Sequence, residues 1–303
     1  MARIVRNFDI CTLPGDPAYK TALLINPPVY DTQYWAQWSQ PYGLLRIATL
    51  LRKYGYRHIE LFDFMETPPD GKRRVHQHRI NPGETYAEGD EPSRPIRPYV
   101  IEKDGERLEL YKYHFGRTWA EFDEWLQARE FILHPPDEIF ISAIMTYWWE
   151  SVRDLTVRLK RRFPKSTIIL GGIYPTLVPQ HAAQMTAADI VVVGEVEEAN
   201  DLWTDLSLYE TPPNYAIITP SRGCPYNCAY CAQRTLNNGR QTVRFRTPKD
   251  IISEMRHKYE TYGIRDFAFY ADFLLWRFEE NFQRVLEMIV KEKLPFRLHA
   301  PEG

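Results

Sequence analysis

The segment Ser221–Arg234, SRGCPYNCAYCAQR, places Cys224, Cys228 and Cys231 at a C-x3-C-x2-C spacing. Thiolates gathered this closely bind soft metals. A closed structural zinc site or an ordinary ferredoxin cluster takes four protein ligands, and this segment has three cysteines. Zinc would need a histidine as the fourth; the nearest downstream is His257, on a predicted helix, and no second C-x2-C occurs. A complete ferredoxin set would need Cys11 to fold back from far upstream, and Cys11 by itself reads as a spare thiol. The remaining reading is a 4Fe-4S cluster on three cysteines with one iron open to a ligand, as catalytic zinc keeps a vacant position.

The elements that must position this loop follow from the apolar patterning. TALLINPP (21–28), HIELFDF (58–64), DEIFISAI (137–144), STIILGG (166–172) and ADIVVVGE (188–195) are apolar, β-branched runs, predicted as buried strands. Between them lie helical stripes: Leu44, Ile47, Ala48 and Leu51, closed by Gly55; Trp119, Phe122 and Leu126; Val152, Leu155 and Leu159; and a shorter one at Gln180–Met185. Strands without polar alternation, separated by helices, predict an α/β fold with a doubly wound parallel sheet. The expected first domain spans 1–206, with a charged, Pro- and Gly-rich irregular insertion at about 66–117. Lys72, Arg73, Arg74, His76 and His78 of that insertion read as a solvated loop, with contact to an anion or metal as the sharper alternative.

Ser207–Pro213 reads as a linker to a second unit at 214–303. There NYAIITPSRG is a strand entering the cysteine loop, and Thr247-Pro248 opens a helix carrying Ile252, Met255 and Tyr259 that Gly263 ends. IRDFAFYADFLL is the next strand, Phe282, Leu286 and Ile289 mark another helix, and PFRLHAPEG is a third strand. Three β/α units cannot close a barrel, so the expectation is a chain truncated within this unit, with an unpaired sheet edge.

The composition bounds the partners. The chain has 303 residues and a formal net charge of -2, so no global field draws it to nucleic acid or an anionic membrane. No apolar run approaches the ~20 residues of a spanning helix, and MARIVRNFDICTLPG has no signal-peptide core. The expected compartment is the cytoplasm, where the 4 cysteines stay reduced and metal binding outranks a disulfide.

With its strand–loop–helix context and Tyr230 before the third cysteine, the C-x3-C-x-Tyr-C loop resembles the radical S-adenosylmethionine superfamily. The resemblance implies a radical domain built as the first part of a β/α barrel. It puts Cys224, Cys228 and Cys231 on a 4Fe-4S cluster whose open iron chelates S-adenosylmethionine. It also places Tyr230, chiefly through its backbone, near the adenine. An external one-electron reductant is implied, with a small-molecule or peptide substrate that these motifs leave unspecified. Relatives carry an acidic pair at the end of the second strand that contacts the amino end of S-adenosylmethionine; here Ala271-Asp272 supplies only Asp272. His299 and Glu302 are expected at the same barrel mouth.

Upstream, TALLINPP, PYGLLRIATLLRKYG, LGGIYPTLVPQHA and ADIVVVGEVEEA resemble the cobalamin-binding domain that precedes the radical domain in one subclass. That resemblance implies cobalamin near Ser142, Thr146, Gly171, Gly172, Gly194 and Glu195. Loops at the carboxyl ends of parallel strands are also where such sheets bind ligands on physical grounds. For Gly171-Gly172 the plainer reading is a tight turn needing permissive backbone. The D-x-H-x-x-G motif is absent, so cobalamin would bind without a histidine on cobalt. Trp35, Trp38, Tyr147, Trp148 and Trp149 either wall a flat macrocycle or fill core and interface. The function implied is reductive cleavage of S-adenosylmethionine, with cobalamin-dependent methyl transfer or rearrangement. The alternatives are a non-catalytic metal-binding relative with an incomplete barrel and, against the near-neutral charge, a zinc-dependent RNA-binding module.

Overall fold

The computed structural model describes residues 2–31, 40–66, 98–111 and 113–301. In chain order it begins with β1 (Arg3–Arg6), β2 (Thr21–Asn26), β3 (Val29–Asp31), α1 (Tyr42–Lys53) and β4 (His58–Asp63). A hairpin, β5 (Pro98–Lys103) and β6 (Glu106–Tyr111), precedes β7 (Tyr113–Phe115), α2 (Trp119–Ala128) and β8 (Glu138–Ser142). Then come α3 (Trp149–Arg162), β9 (Thr167–Gly171), α4 (Ile173–Leu177), α5 (Pro179–Met185) and β10 (Ile190–Val193).

Six of these strands form one parallel sheet in the order β1-β10-β9-β8-β2-β4. The period of two along each strand divides its side chains between two cores. Ala22 and Leu24 face α1, packing with Leu44, Leu45, Ala48 and Leu51. Leu23 and Ile25 face the other way, onto Phe122 and Leu126 of α2 and Val152, Leu155 and Leu159 of α3. Burial on both faces is why these strands read as unbroken apolar runs. The chain runs outward from β2 to β4 and returns to β8 on the opposite side of β2. That reversal makes a crevice at the carboxyl ends of β2 and β8.

The second unit contains β11 (Tyr215–Ile218), β12 (Ser221–Arg222), α6 (Gln233–Leu236), β13 (Arg244–Phe245), α7 (Pro248–Tyr262), β14 (Asp266–Phe269), α8 (Phe282–Lys291) and β15 (Arg297–His299). β11, β14 and β15 form a three-stranded parallel sheet, and β12 pairs with β13 as an antiparallel ribbon. No barrel is closed among the described residues. α7 begins as expected: the Thr247 hydroxyl accepts from the Asp250 amide, Pro248 takes the first position, and Gly263 ends the helix in a left-handed conformation.

The structure departs from expectation at four places. RIVR forms β1, an edge strand too short and too charged to announce itself before β10 pairs with it. The insertion expected to be irregular contributes β5, β6 and β7; Asp104-Gly105 turns the hairpin with positive φ at both residues, the turn chemistry that an Asp-Gly pair favours. Lys72–Arg74, His76 and His78 lie outside the described residues. The strand expected across IRDFAFYADFLL is confined to Asp266–Phe269. Ser207–Pro213, expected as a linker, is docked: the Tyr209 phenol donates to Asp63 at 2.8 Å, and one apolar cluster runs from α1 through Leu206 to Ile218 and Met255.

Candidate functional site

A cavity of about 430 Å³ lies where the carboxyl ends of β2, β8, β9 and β10 meet the cysteine-bearing unit. Its volume falls within the roughly 300–1,000 Å³ of small-molecule sites. Asn26, Ser142, Gly171, Gly172, Gly194 and Glu195 line it from the sheet side, and Arg222, Gln233, Tyr270 and Asp272 from the other. Five of the six residues expected around cobalamin, together with Asp272, are therefore brought to one space.

The sheet wall is made by tight backbone turns. Gly172 has φ of 107°, and a Cβ there would sit 2.4 Å from the carbonyl oxygen of Ala143. That carbonyl also accepts from the Tyr174 amide at 3.1 Å, which fixes the turn between β9 and α4. Gly194, with φ of 88°, meets the Asn238 side chain, which a Cβ would overlap at 1.9 Å. Gly171 has no such requirement: its nearest neighbour would be Val192 Cβ at 3.9 Å. The glycines at 172 and 194 thus serve close approach within the protein, and the second brings β10 against the segment that follows α6.

The opposite wall is held by charge. Asp272, at the end of the segment leaving β14, accepts from the Gly223 amide at 2.5 Å, Gln233 Nε2 at 2.5 Å, Asn237 Nδ2 at 3.2 Å and Arg222 Nη1 at 3.4 Å. A carboxylate has about four acceptor positions, so this one is fully occupied. Its bonds tie both ends of the cysteine loop, β12 and α6, to β14. Glu195 accepts from Arg222 Nε at 3.1 Å and Arg244 Nη2 at 2.5 Å. Burial alone would lower the Arg222 guanidinium pKa, but Tyr42, Asp272 and Glu195 outweigh it and raise it. Glu195, expected as a cobalamin contact, is thus first a cross-link between β10 and the ribbon β12–β13.

Behind this wall, α7 carries a buried ion network. Glu254 accepts from Arg246 at 2.7 Å and also pairs with Lys258, all three with side chains almost fully buried. Burial pushes the Glu254 carboxyl up, yet Lys258 and Arg246 overcome this and hold it at about 2. The Lys258 ammonium also donates to Thr204 at 2.6 Å, joining α7 to the segment after β10.

The three cysteines lie on the loop between β12 and α6, outside the cavity lining. Cys224 is half-buried, while Cys228 and Cys231 are exposed. The Cys231 amide donates to the Cys228 carbonyl at 3.0 Å, and the Tyr226 ring rests 5.6 Å from Phe273. Among the described residues, no three or more His, Cys, Asp or Glu side chains are gathered closely enough to hold a metal ion. Tyr230 is 93% exposed, and a hydrogen bond with Cys228 raises its phenol.

The remaining expected residues lie as follows. Thr146 does not line the cavity; it starts the 3-10 turn Thr146–Trp148, and Met145 just before the turn and Trp148 at its end line the cavity instead. Of the aromatic residues, Trp148 lines the cavity and donates from Nε1 to Asp31 at 2.8 Å. Tyr147 is 50% exposed, and Trp149 stands edge-on to His181, 5.1 Å away. Trp35, Trp38 and Glu302 lie outside the described residues. His299, opposite Ala268 in the β14–β15 register, pairs diagonally with Asp266 at 3.1 Å and takes no part in the cavity.

Sequence reasoning passed over Arg46, Asn200, Arg222 and Gln233, all of which line the cavity. Arg46 left one signal: an arginine inside the apolar stripe of α1, between Leu44 and Ala48.

Among the described residues no helix is long and apolar enough to cross a membrane. No curated protein matches the chain, and no solved structure does. No radical S-adenosylmethionine domain is detected. Residues 127–202 match the family model of the B12 binding domain. The six-stranded parallel sheet is consistent with such a Rossmann-like domain, and the chain carries a B12-binding domain over 127–202, whose β8, β9 and β10 end at the cavity.

Proposed function

We propose that this chain binds cobalamin in the cavity and acts as a radical S-adenosylmethionine enzyme through a 4Fe-4S cluster on Cys224, Cys228 and Cys231. The observation that supports the reading is the cavity itself. It brings the strand ends of the B12-binding domain against the Arg222–Asp272 network that anchors the cysteine loop. The donor chemistry fits both groups. Among the described residues, none of those lining the cavity is a histidine, and the cobalamin binding proposed here calls for none. Three thiols on one short loop suit iron–sulfur ligation, and the loop has to draw together to complete it.

When bound, the reduced cluster supplies an electron to S-adenosylmethionine and cobalamin supplies a carrier for methyl transfer or rearrangement. The protein's part is placement. Asp272 holds Gly223 and Gln233, and so sets where the loop starts and ends. Glu195 aligns Arg222 along the cavity wall. The turn at Gly172 keeps the cavity edge free of a side chain, and Trp148 covers it with an apolar face.

Anaerobic reconstitution tests the reading. The loaded protein is expected to hold about four irons and to cleave S-adenosylmethionine. Cys224→Ala, Cys228→Ala or Cys231→Ala each lose the iron, and Cys11→Ala keeps it. Stoichiometric zinc without iron would refute the cluster, and iron without cleavage would leave the non-catalytic relative. Hydroxocobalamin is tested separately: electron paramagnetic resonance of the cobalt(II) form should show no splitting from a protein nitrogen.

A further inference from the structure

We propose that Arg46 and Asn200 form an anion-binding point inside the cavity, which takes a carboxylate or phosphate oxygen of the ligand. Among the described residues, two buried side-chain donors lack a hydrogen-bond partner, Arg46 Nε and Asn200 Nδ2. Both residues line the same cavity. Arg46 is 5% exposed, and its Nη2 donates to the Thr219 hydroxyl. Its guanidinium lies 5.9 Å from the Tyr42 ring. A buried guanidinium with an unmade bond is costly, because water is excluded and nothing replaces it.

The neighbouring carboxylates are engaged elsewhere. Glu254 is bound by Arg246 and Lys258, Glu195 by Arg222 and Arg244, and Asp272 by Arg222 and the loop. The hydrogen-bond partner left to Arg46 is a neutral hydroxyl. Burial comes first in drawing its guanidinium down to about 10; Glu254 opposes this, and Arg246 and Arg222 add to it. An incoming anion supplies the missing acceptor and the missing charge together. A neutral acceptor supplies only the first.

Asn200 stands where this cavity adjoins a second one of about 220 Å³, whose charged lining is Arg222, Arg240, Arg244 and Arg246 with Glu197 and Asp201. Those four arginines are paired, Arg222 and Arg244 with Glu195, Arg240 with Glu197 and Arg246 with Glu254. Among the described residues, Arg46 is therefore the one arginine lining the two cavities without a carboxylate partner. The inference does not depend on cobalamin or iron, and it stands or falls on the unloaded chain.

The test is calorimetric titration of the full chain with acetate and with inorganic phosphate at constant ionic strength, and with acetamide as the neutral isostere of acetate. Saturable binding of at least one anion is expected, and the tighter of the two identifies carboxylate or phosphate as the group recognised. Acetamide should bind at least about tenfold more weakly than the preferred anion. Asn200→Asp replaces a donor by a negative charge and should weaken anion binding about tenfold or more. Arg46→Gln should abolish it. Since Arg46 is packed beside Glu254, loss of folding in that variant would leave Asn200→Asp, at a half-buried position, to decide. Arg240→Gln, in the second cavity alone, should change the affinity less than twofold. The proposal is overturned if neither anion binds saturably, if Asn200→Asp binds as the wild type does, or if acetamide matches the preferred anion.

Discussion

The wall of the cavity formed by β2, β8, β9 and β10 has Ser142, Gly171, Gly172 and Gly194 at the strand ends, with apolar Phe140, Ile169 and Val192 from the same strands. The facing wall is held by Arg222, Asp272, Glu195 and, behind them, Arg246, Glu254 and Lys258. The first is shaped by the packing of the sheet beneath it and, among the described residues, carries no ion pair between its strand ends. The second is a set of mutually dependent charges, in which removal of one member strands the others in a medium of low dielectric. A site built this way has one rigid side and one whose shape is sensitive to single substitutions.

The largest break expected in the comparison is Glu254→Ala. It leaves Lys258 and Arg246 buried without their shared partner, and should cost about 3–5 kcal/mol in urea denaturation. A loss below about 1 kcal/mol would mean that the network is ornamental. The pH dependence follows from the same group. The folded carboxyl sits at about 2, below its ordinary 4.5, so its contribution is fully present above about pH 4.5 and is lost as pH falls toward 2. Glu254→Gln should remove that part of the acid slope, seen by subtracting the two stability–pH curves. An unchanged slope would place the acid sensitivity elsewhere.

On the sheet wall a smaller effect and a sharper contrast are expected. Gly172→Ala forces a Cβ to within 2.4 Å of the Ala143 carbonyl at positive φ, and should cost about 1–3 kcal/mol. Gly171→Ala, with its nearest neighbour at 3.9 Å, should cost under about 1 kcal/mol. Equal melting temperatures for the two would contradict the description of this wall as one set by backbone approach. Asp272→Ala should have a modest global effect, about 1–2 kcal/mol, because Arg222 keeps Glu195. Its local effect is larger: amide exchange at Gly223 and alkylation of the half-buried Cys224 should both quicken. If neither rate moves, Asp272 does not anchor the loop.

The apolar runs at β2, β4, β8, β9 and β10 were legible because a strand covered on both faces has no polar positions to interrupt it. The ends of α7 were legible because Thr247, Pro248 and Gly263 each solve a local backbone problem, capping or left-handed φ, that involves no distant residue. β1 was not, since RIVR becomes a strand only when β10 presents an open edge. Asp104-Gly105 carried a turn signal, but charged surroundings hid the short strands on either side.

The amino-acid order by itself determined the parallel sheet, the position of the cysteine loop after a strand, and the glycines at the strand ends. All of these depend on contacts or conformations within a few residues, or on burial that every residue of a strand shares. Only the tertiary structure decided that Thr146 turns away while Trp148 faces in, that Glu195 and Asp272 share Arg222, and that Arg46 and Asn200 are left as unmatched donors in one cavity. Each of those outcomes depends on which groups meet across segments far apart in the chain. For a buried polar atom, having a partner or lacking one is a property of the whole fold.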